Sequence, residues 1–453
     1  MVRSKRPDES FLEYKQRILD TKSASFCGAK WYNATIWLGS GQTTSCHHPL
    51  PHQVSVEQVL ANPAALHNTP EKKQQRLQMQ KGERPSGCEY CWRIEDSSPT
   101  AISDRPYKSM LYSEEELNTA FNTLYKLDVN LRTLEIAFDR TCNFACSYCN
   151  PAFSTTWVKD IKVNGPYTNL VSDGRNHFTH LHDSSQLYGF TDTNPYVEAF
   201  FKWWESDLHK TLRELRITGG EPLMSGHTWK LLDWFKLNRG KSETKLAINS
   251  NLGMDNKKLN EFIEAVRDIP HVEVYTSCEA FGSAAEYIRD GLDYNQWFDN
   301  LVALHSSGVV KQLHVMATIN GLCLMSLPKF LKHMMDFKIG RGKSSLTFTL
   351  NILRFPSFQS PTVMPHNVRE NCAVELEKFL NSYEHSNYLH QMEIEHIKRL
   401  IEYLRKVETP HEGASNKNVL EKDFKNFYEQ YDVRRNKNFI KTFAELENWY
   451  SGL

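Results

Sequence analysis

Three cysteines share one short stretch, LEIAFDRTCNFACSYCNP, at Cys142, Cys146 and Cys149. They follow an apolar, strand-like run in the pattern C-x3-C-x2-C. A structural zinc ion closes with four ligands, so three thiolates on one loop leave a metal centre one ligand short. That suits a cubane 4Fe–4S cluster with one iron open to a small molecule, such as the amino and carboxylate groups of a methionine moiety. Further along the chain, ITGGEPL places Gly219, Gly220 and Glu221 at the end of another apolar run. Paired glycines bare the backbone at a strand end, where barrel folds bind ligands, and Glu221 adds an anion that would suit an ammonium.

A second cysteine set precedes the first. Cys27, Gly41 and Cys46 form C-x13-G-x4-C, and Cys88 and Cys91 form a C-x2-C pair in SGCEYCWRIED. Four thiols in two pairs close a site, either for zinc or for a fully ligated iron–sulfur cluster. His47 and His48 follow Cys46 but read as solvated residues of a proline-rich loop. Cys278 ends the strand-like run VEVYTSC, where a thiol could give a hydrogen atom to a substrate radical. Buried cysteine is also a common small core residue, the reading given to Cys323 and Cys372. His177, His180 and His182 lie in a polar segment with no carboxylate pattern beside them, so they read as loop.

The elements that would position these groups change character near residue 130. Before it the chain reads as loop-rich, with short helical candidates in SVEQVLANPAAL and TPEKKQQRLQMQKG. After it, TLEIAFD, LRELRITGG, KLAINSN, VEVYTSC, QLHVMATIN and SLTFTLNIL read as strands separated by helical spacing of large apolar residues. Six β-then-α units predict an α/β fold with a parallel sheet, partly closed as a (βα)6 TIM-like barrel. The expected regions are 1–130, cysteine-rich; 131–355, the barrel, with a polar insertion near 151–195; and 356–453, a helical C-terminal extension.

Composition bounds the function. The chain has 453 residues with 54 basic and 54 acidic side chains, so no net charge draws it to nucleic acid or an anionic membrane. No apolar run reaches the roughly 18 residues of a membrane span, and the N-terminus lacks the apolar core of a secretory signal. A cytoplasmic, reducing location is the expectation, and there clustered cysteines favour metal or catalytic roles over disulfides.

The C-x3-C-x2-C loop, followed one βα unit later by Gly-Gly-Glu-Pro, resembles the radical S-adenosylmethionine (SAM) enzymes. The resemblance implies a SAM-binding 4Fe–4S cluster on Cys142, Cys146 and Cys149, with Tyr148 near the adenine. It also implies that Gly219, Gly220 and Glu221 hold the methionine amino group. Asn249 of AINSN would lie near the ribose, Ser277 in a Ser-x-Glu signature that also contains Glu279, and Arg289 at the methionine carboxylate. Structural readings stand beside these: Asn249 capping a turn, Ser277 satisfying backbone, Arg289 in a surface ion pair. The N-terminal cysteines resemble the twitch and SPASM auxiliary-cluster domains, which usually follow the barrel; four cysteines fit twitch and its one additional 4Fe–4S cluster. Such an enzyme would draw electrons from a reductant such as flavodoxin or ferredoxin. It would act on a peptide side chain, or alternatively oxidise or epimerise a small sugar- or nucleoside-like molecule. The contrasting class is a non-catalytic scaffold holding two structural metals.

Overall fold

The computed structural model describes residues 3–189, 192–406 and 416–453. The chain forms two compact units. The first comprises Met1–Asp139, Gln186–Ile217 and Asn238–Leu246, the second Arg140–Ser185, Thr218–Leu237 and Ala247–Leu453. In chain order the strands are β1 (Asn33–Trp37), β2 (Gln42–Thr44), β3 (His52–Gln53), β4 (Thr133–Ala137), β5 (Ala145–Cys146), β6 (Glu214–Thr218), β7 (Lys245–Ser250), β8 (Val272–Ser277), β9 (Arg289–Asp290), β10 (Gln312–Ile319) and β11 (Thr347–Ile352). The six strands expected from apolar runs are β4, β6, β7, β8, β10 and β11.

In the first unit the strands lie in the order β6, β4, β1, β2, β3. β1 pairs parallel with β4, Asn33 opposite Thr133, and antiparallel with β2 through a tight hairpin. The loop-rich expectation for residues 1–130 is therefore corrected: Asn33–Trp37 is a strand. Its alternation is only five residues long, with Ala34 and Ile36 buried, too short a period to stand out. Gly41, the glycine of the cysteine signature, turns that hairpin with φ +69°, and a Cβ there would lie 2.1 Å from the Tyr196 ring. Both the left-handed backbone and the ring require glycine. Around this sheet edge Tyr14, Phe26, Trp31, Tyr32, Trp92 and Tyr112 pack with Cys88 and Cys91 into one buried cluster.

In the second unit β11, β10, β8 and β7 lie side by side, with β10 parallel to both β8 and β11. Each of these four strands is followed in sequence by a helix, giving a mixed α/β architecture. A separate two-stranded ladder pairs β5 with β9, setting Cys146 opposite Arg289. The polar insertion holds a helix the sequence did not signal, Thr155–Asn164, capped by Ser154. Long helices follow β11, at His366–Tyr383, Gln391–Lys406 and Lys417–Arg435. Lys338 and Glu393 form a fully buried ion pair at 2.7 Å, and Glu393 also accepts from the Phe348 amide. This pair ties the second long helix to β11. No helix among the described residues is long and apolar enough to cross a membrane.

Candidate metal centres

The loop carrying Cys142, Cys146 and Cys149 is held by its backbone, so that the thiols remain available as ligands. Thr156 Oγ1 donates to the Cys142 carbonyl at 2.7 Å, Trp157 Nε1 donates to the Cys146 carbonyl at 3.0 Å, and Ser154 Oγ donates to the Phe144 carbonyl at 2.7 Å. The first turn of the unforeseen helix thus fixes the cysteine loop. From the far C-terminus, Tyr431 Oη lies 3.3 Å from the Ala145 carbonyl and Tyr428 Oη 3.3 Å from Ser147 Oγ. Gln359 Nε2 donates to the Ser147 carbonyl at 2.9 Å.

The Gly-Gly-Glu strand end meets this loop directly. The Glu221 amide donates to the Thr141 carbonyl at 2.6 Å. A Cβ on Gly220 would lie 2.3 Å from that same oxygen, so only glycine permits the approach. Gly219 has φ +122°. The Glu221 side chain is buried and turned inward. Its carboxylate accepts from the Asn251 amide at 2.6 Å, the Leu223 amide at 3.0 Å and Ser250 Oγ at 2.9 Å. Burial pushes its pKa up to about 7 against these three donors. Glu221 therefore locks the end of β7 to the glycine turn. At the end of β7, Ser250 and Asn251 of the same AINSN segment make these contacts with Glu221. Asn251 Nδ2 donates to Asn143 Oδ1 at 2.8 Å and lies 4.0 Å from Cys142 Sγ. Asn249 is half-buried on the strand itself.

On the other side of the loop stands a buried polar set. Arg289 pairs with Glu279 at 2.6 Å, both nearly inaccessible, and Tyr148 Oη donates to Glu279 at 3.2 Å. The guanidinium lies 5.5 Å from the Tyr148 ring centre, and its Nη1 is 3.8 Å from Cys146 Sγ. The structure gives Arg289 a buried carboxylate partner, where the alternative reading placed an ion pair on the surface. Ser277 is half-buried at the end of β8. Cys278, expected as a catalytic thiol, is fully buried and donates to the Ala280 carbonyl at 3.5 Å.

The donor set fits an iron–sulfur cluster. Burial pushes the Cys142 thiol up to about 12, with Cys146 adding to the rise. Cys146 is pushed to about 11, and Cys149 is raised by burial and by both neighbours. Three crowded, buried thiols become thiolates together only against a cationic centre. The Phe144 amide, 3.4 Å from Cys142 Sγ, and Arg289 Nη1 would donate to such sulfurs, interactions that tune cluster potentials.

The four N-terminal cysteines all lie within the first unit, and Cys27 packs against the buried cluster that contains Cys88 and Cys91. Cys27 is pushed up to about 11 by burial, by Cys88 and by Cys46, and Cys91 to about 12 by burial and by Cys27. Arg105 is buried, pairs with Glu95 at 2.6 Å, and donates to the Phe26 carbonyl at 2.7 Å, fixing the residue before Cys27. His47 and His48 both approach Asp104 Oδ2, at 3.5 and 2.8 Å. The three ligand atoms lie within 4.8 Å of one another. His48 stacks on Tyr90 with ring centres 3.9 Å apart, and Lys108 beside His47 opposes a cation there. His177, His180 and His182 hydrogen-bond separately, to Asn150, Thr179 and the Asn176 carbonyl.

No protein-family model and no curated protein matches the chain. Among solved structures it is similar to SuiB of Streptococcus suis, at 13% identity and a TM-score of 0.36, over 70% of this chain and 63% of that one. It is also similar to native anSMEcpe with bound AdoMet, at 14% identity and a TM-score of 0.37, over 57% of this chain and 62% of that one. SuiB bound to its precursor peptide SuiA matches at 12% identity and a TM-score of 0.36, over 70% of this chain and 64% of that one. The chain thus spans less than two thirds of the length of these structures. In its cysteine and glycine motifs, and in the loop junction they build, the chain resembles the radical SAM enzymes.

Proposed function

We propose that this protein is a radical SAM enzyme that modifies peptide or protein side chains. The observation that carries the reading is the junction of two motifs. The Gly219-Gly220-Glu221 turn is hydrogen-bonded to the residue before Cys142, where any side chain at position 220 would collide. Such contact sets bared backbone beside the cysteine loop, where a cluster could chelate a methionine moiety. Cys142, Cys146 and Cys149 would hold the cluster. When bound, it supplies the single electron that breaks a C–S bond of SAM and leaves a 5′-deoxyadenosyl radical to take a hydrogen atom.

The chain's own residues then bind, orient and exclude. The Gly219 and Gly220 backbone receives the ammonium, while Glu221 fixes that backbone from behind through Ser250 and Asn251. Tyr148 borders the adenine and is itself oriented by Glu279 and Arg289. Asn249 and Ser277, half-buried at neighbouring strand ends, line the nucleoside side. We assign the region to a partial (βα)6 barrel. Cys27, Cys46, Cys88 and Cys91 are assigned to an auxiliary 4Fe–4S cluster, and a flavodoxin or ferredoxin to electron supply. Cys278 is left out, because its thiol is sealed and engaged with a carbonyl.

The peptide assignment takes the first of the two outcomes that the resemblance implies for a four-cysteine auxiliary site, peptide modification and alcohol oxidation. It is tested by supplying the reconstituted enzyme, SAM and dithionite with a perdeuterated peptide mixture or a perdeuterated pool of sugars and nucleosides. Deuterium carried into 5′-deoxyadenosine from peptides alone is the expected result. Label from the small-molecule pool alone would overturn the substrate class.

A further inference from the structure

Among the described residues, the first unit buries three basic side chains that form no ion pair with a carboxylate. Lys30, Lys72 and Arg76 are each at most 3% exposed. Lys72 Nζ donates to Thr43 Oγ1 at 2.7 Å, to the Thr44 carbonyl at 3.2 Å and to His67 Nδ1 at 3.4 Å. Arg76 donates to the Lys30 carbonyl at 3.1 Å and to Asn68 Oδ1 at 2.9 Å. Lys30 Nζ donates to Gln75 Oε1 at 2.6 Å. Every one of these acceptors is neutral. Among the described residues, none of the three cations has a carboxylate within ion-pair distance. The nearby acids are half-exposed and turned elsewhere: Glu71 toward His52, Asp128 toward Lys73.

Buried charges are retained only when paired or coordinated. The carbonyls these cations grip belong to the two segments that carry cysteines. Lys30 and Trp31, whose carbonyl is 2.8 Å from His67 Nε2, follow Cys27, while Thr44 precedes Cys46. The Lys30 amide donates to the Cys27 carbonyl at 3.0 Å, and Thr44 Oγ1 donates to the Cys46 carbonyl at 2.9 Å.

We propose that Lys30, Lys72 and Arg76 are the counter-charge of an anionic centre on Cys27, Cys46, Cys88 and Cys91, and that they poise it to accept an electron. This rests on the auxiliary-cluster reading above. Four thiolates around a 4Fe–4S core of charge 2+ carry a net 2−. One electron from a low-potential reductant takes the core to 1+ and the centre to 3−, with no bond made or broken and no proton moved. Three buried cations favour that more negative state. The three are positioning residues, since none is placed among the ligands.

The test uses the full chain carrying Cys142, Cys146 and Cys149→Ala, reconstituted with iron and sulfide, so that only the N-terminal centre is loaded. Iron content is read first, then the midpoint potential by a redox titration followed by paramagnetic resonance. Lys72→Met and Arg76→Met should each lower the reduced-to-oxidised ratio at fixed potential about tenfold, a shift of about 59 mV for one electron. Lys72→Arg should preserve it, and Lys81→Met, at an exposed position, should leave it unchanged. Melting of loaded and metal-free protein gives a second readout. Lys72→Met should destabilise the loaded chain yet stabilise the metal-free one, where the cation has nothing to balance.

Absence of iron would refute the auxiliary-cluster reading and the electron-accepting role with it; opposite-signed melting shifts in a zinc-loaded chain would then uphold only the counter-charge. Bound iron with an unmoved potential, or melting shifts of one sign in both forms, would overturn the counter-charge proposal itself.

Discussion

At the scale of single residues, the account turns on groups whose chemistry depends on neighbours far away in sequence. Glu221 is legible as part of a motif, whereas its hydrogen bonds to Asn251, Leu223 and Ser250 are not. Glu221→Gln must turn an amide NH2 against one of two backbone N–H groups, which costs about 1–3 kcal/mol of stability. The carboxyl's folded pKa of about 7 lies above its ordinary value. The folded state therefore holds a proton that the unfolded state releases, and stability is lost as pH rises through that range. Consequently the melting difference between wild type and Glu221→Gln should be larger at about pH 5 than at about pH 8. Denaturation of the metal-free protein across that range would check the sign. Gly220→Ala forces a Cβ onto the Thr141 carbonyl. A displacement of that size should lower SAM cleavage on the order of 100-fold, measured as 5′-deoxyadenosine formed per minute. Arg289 was read as a ligand to SAM, but its carboxylate partner Glu279 comes from a different element. No single-sequence signal could have paired them.

At the scale of elements, the six strands after residue 130 were visible because each is an apolar run bounded by polar turns. β1 was missed because five residues between loops carry too little periodicity. The helix Thr155–Asn164 was missed because it lies inside a polar insertion, although Ser154 followed by two threonines and a tryptophan is a capping signal. The C-terminal helix Lys417–Arg435 was legible as a helix, yet its target was not. It braces the cysteine loop through Tyr428 and Tyr431 and the neighbouring insertion through Asp423, which accepts from the Val171 and Ser172 amides. Arg435 adds a cation over the Trp157 ring at 4.5 Å. Tyr431→Phe removes a hydroxyl that serves the Ala145 and Tyr287 carbonyls, and should destabilise by about 1 kcal/mol, read as a lower melting temperature. Ending the chain before Lys417 should remove about four irons per chain, those of the three-cysteine loop, while the N-terminal centre keeps its own.

At the scale of the whole molecule, the chain leaves the first unit at Asp139 and returns to it at Gln186–Ile217 and Asn238–Leu246. Periodicity along a chain does not reveal such a return, because it depends on which surfaces bury together. Spacing picks out both cysteine sets, and each set lies within one unit. On the proposed reading each unit would hold a metal centre, and metal would then be part of the fold. Stripping iron with a chelator should lower the melting temperature and raise hydrogen exchange around residues 26–46 and 88–105, where Cys27, Cys46, Cys88 and Cys91 anchor the chain. The central claim is radical SAM chemistry at the three-cysteine loop. Its most direct test is anaerobic reconstitution followed by SAM and dithionite, comparing wild type with the Cys142, Cys146 and Cys149→Ala variant. The account predicts 5′-deoxyadenosine from wild type and none from the variant, which should still retain about four irons at the N-terminal centre. A fully iron-loaded wild type that forms no 5′-deoxyadenosine, or a variant that forms it undiminished, would contradict the account.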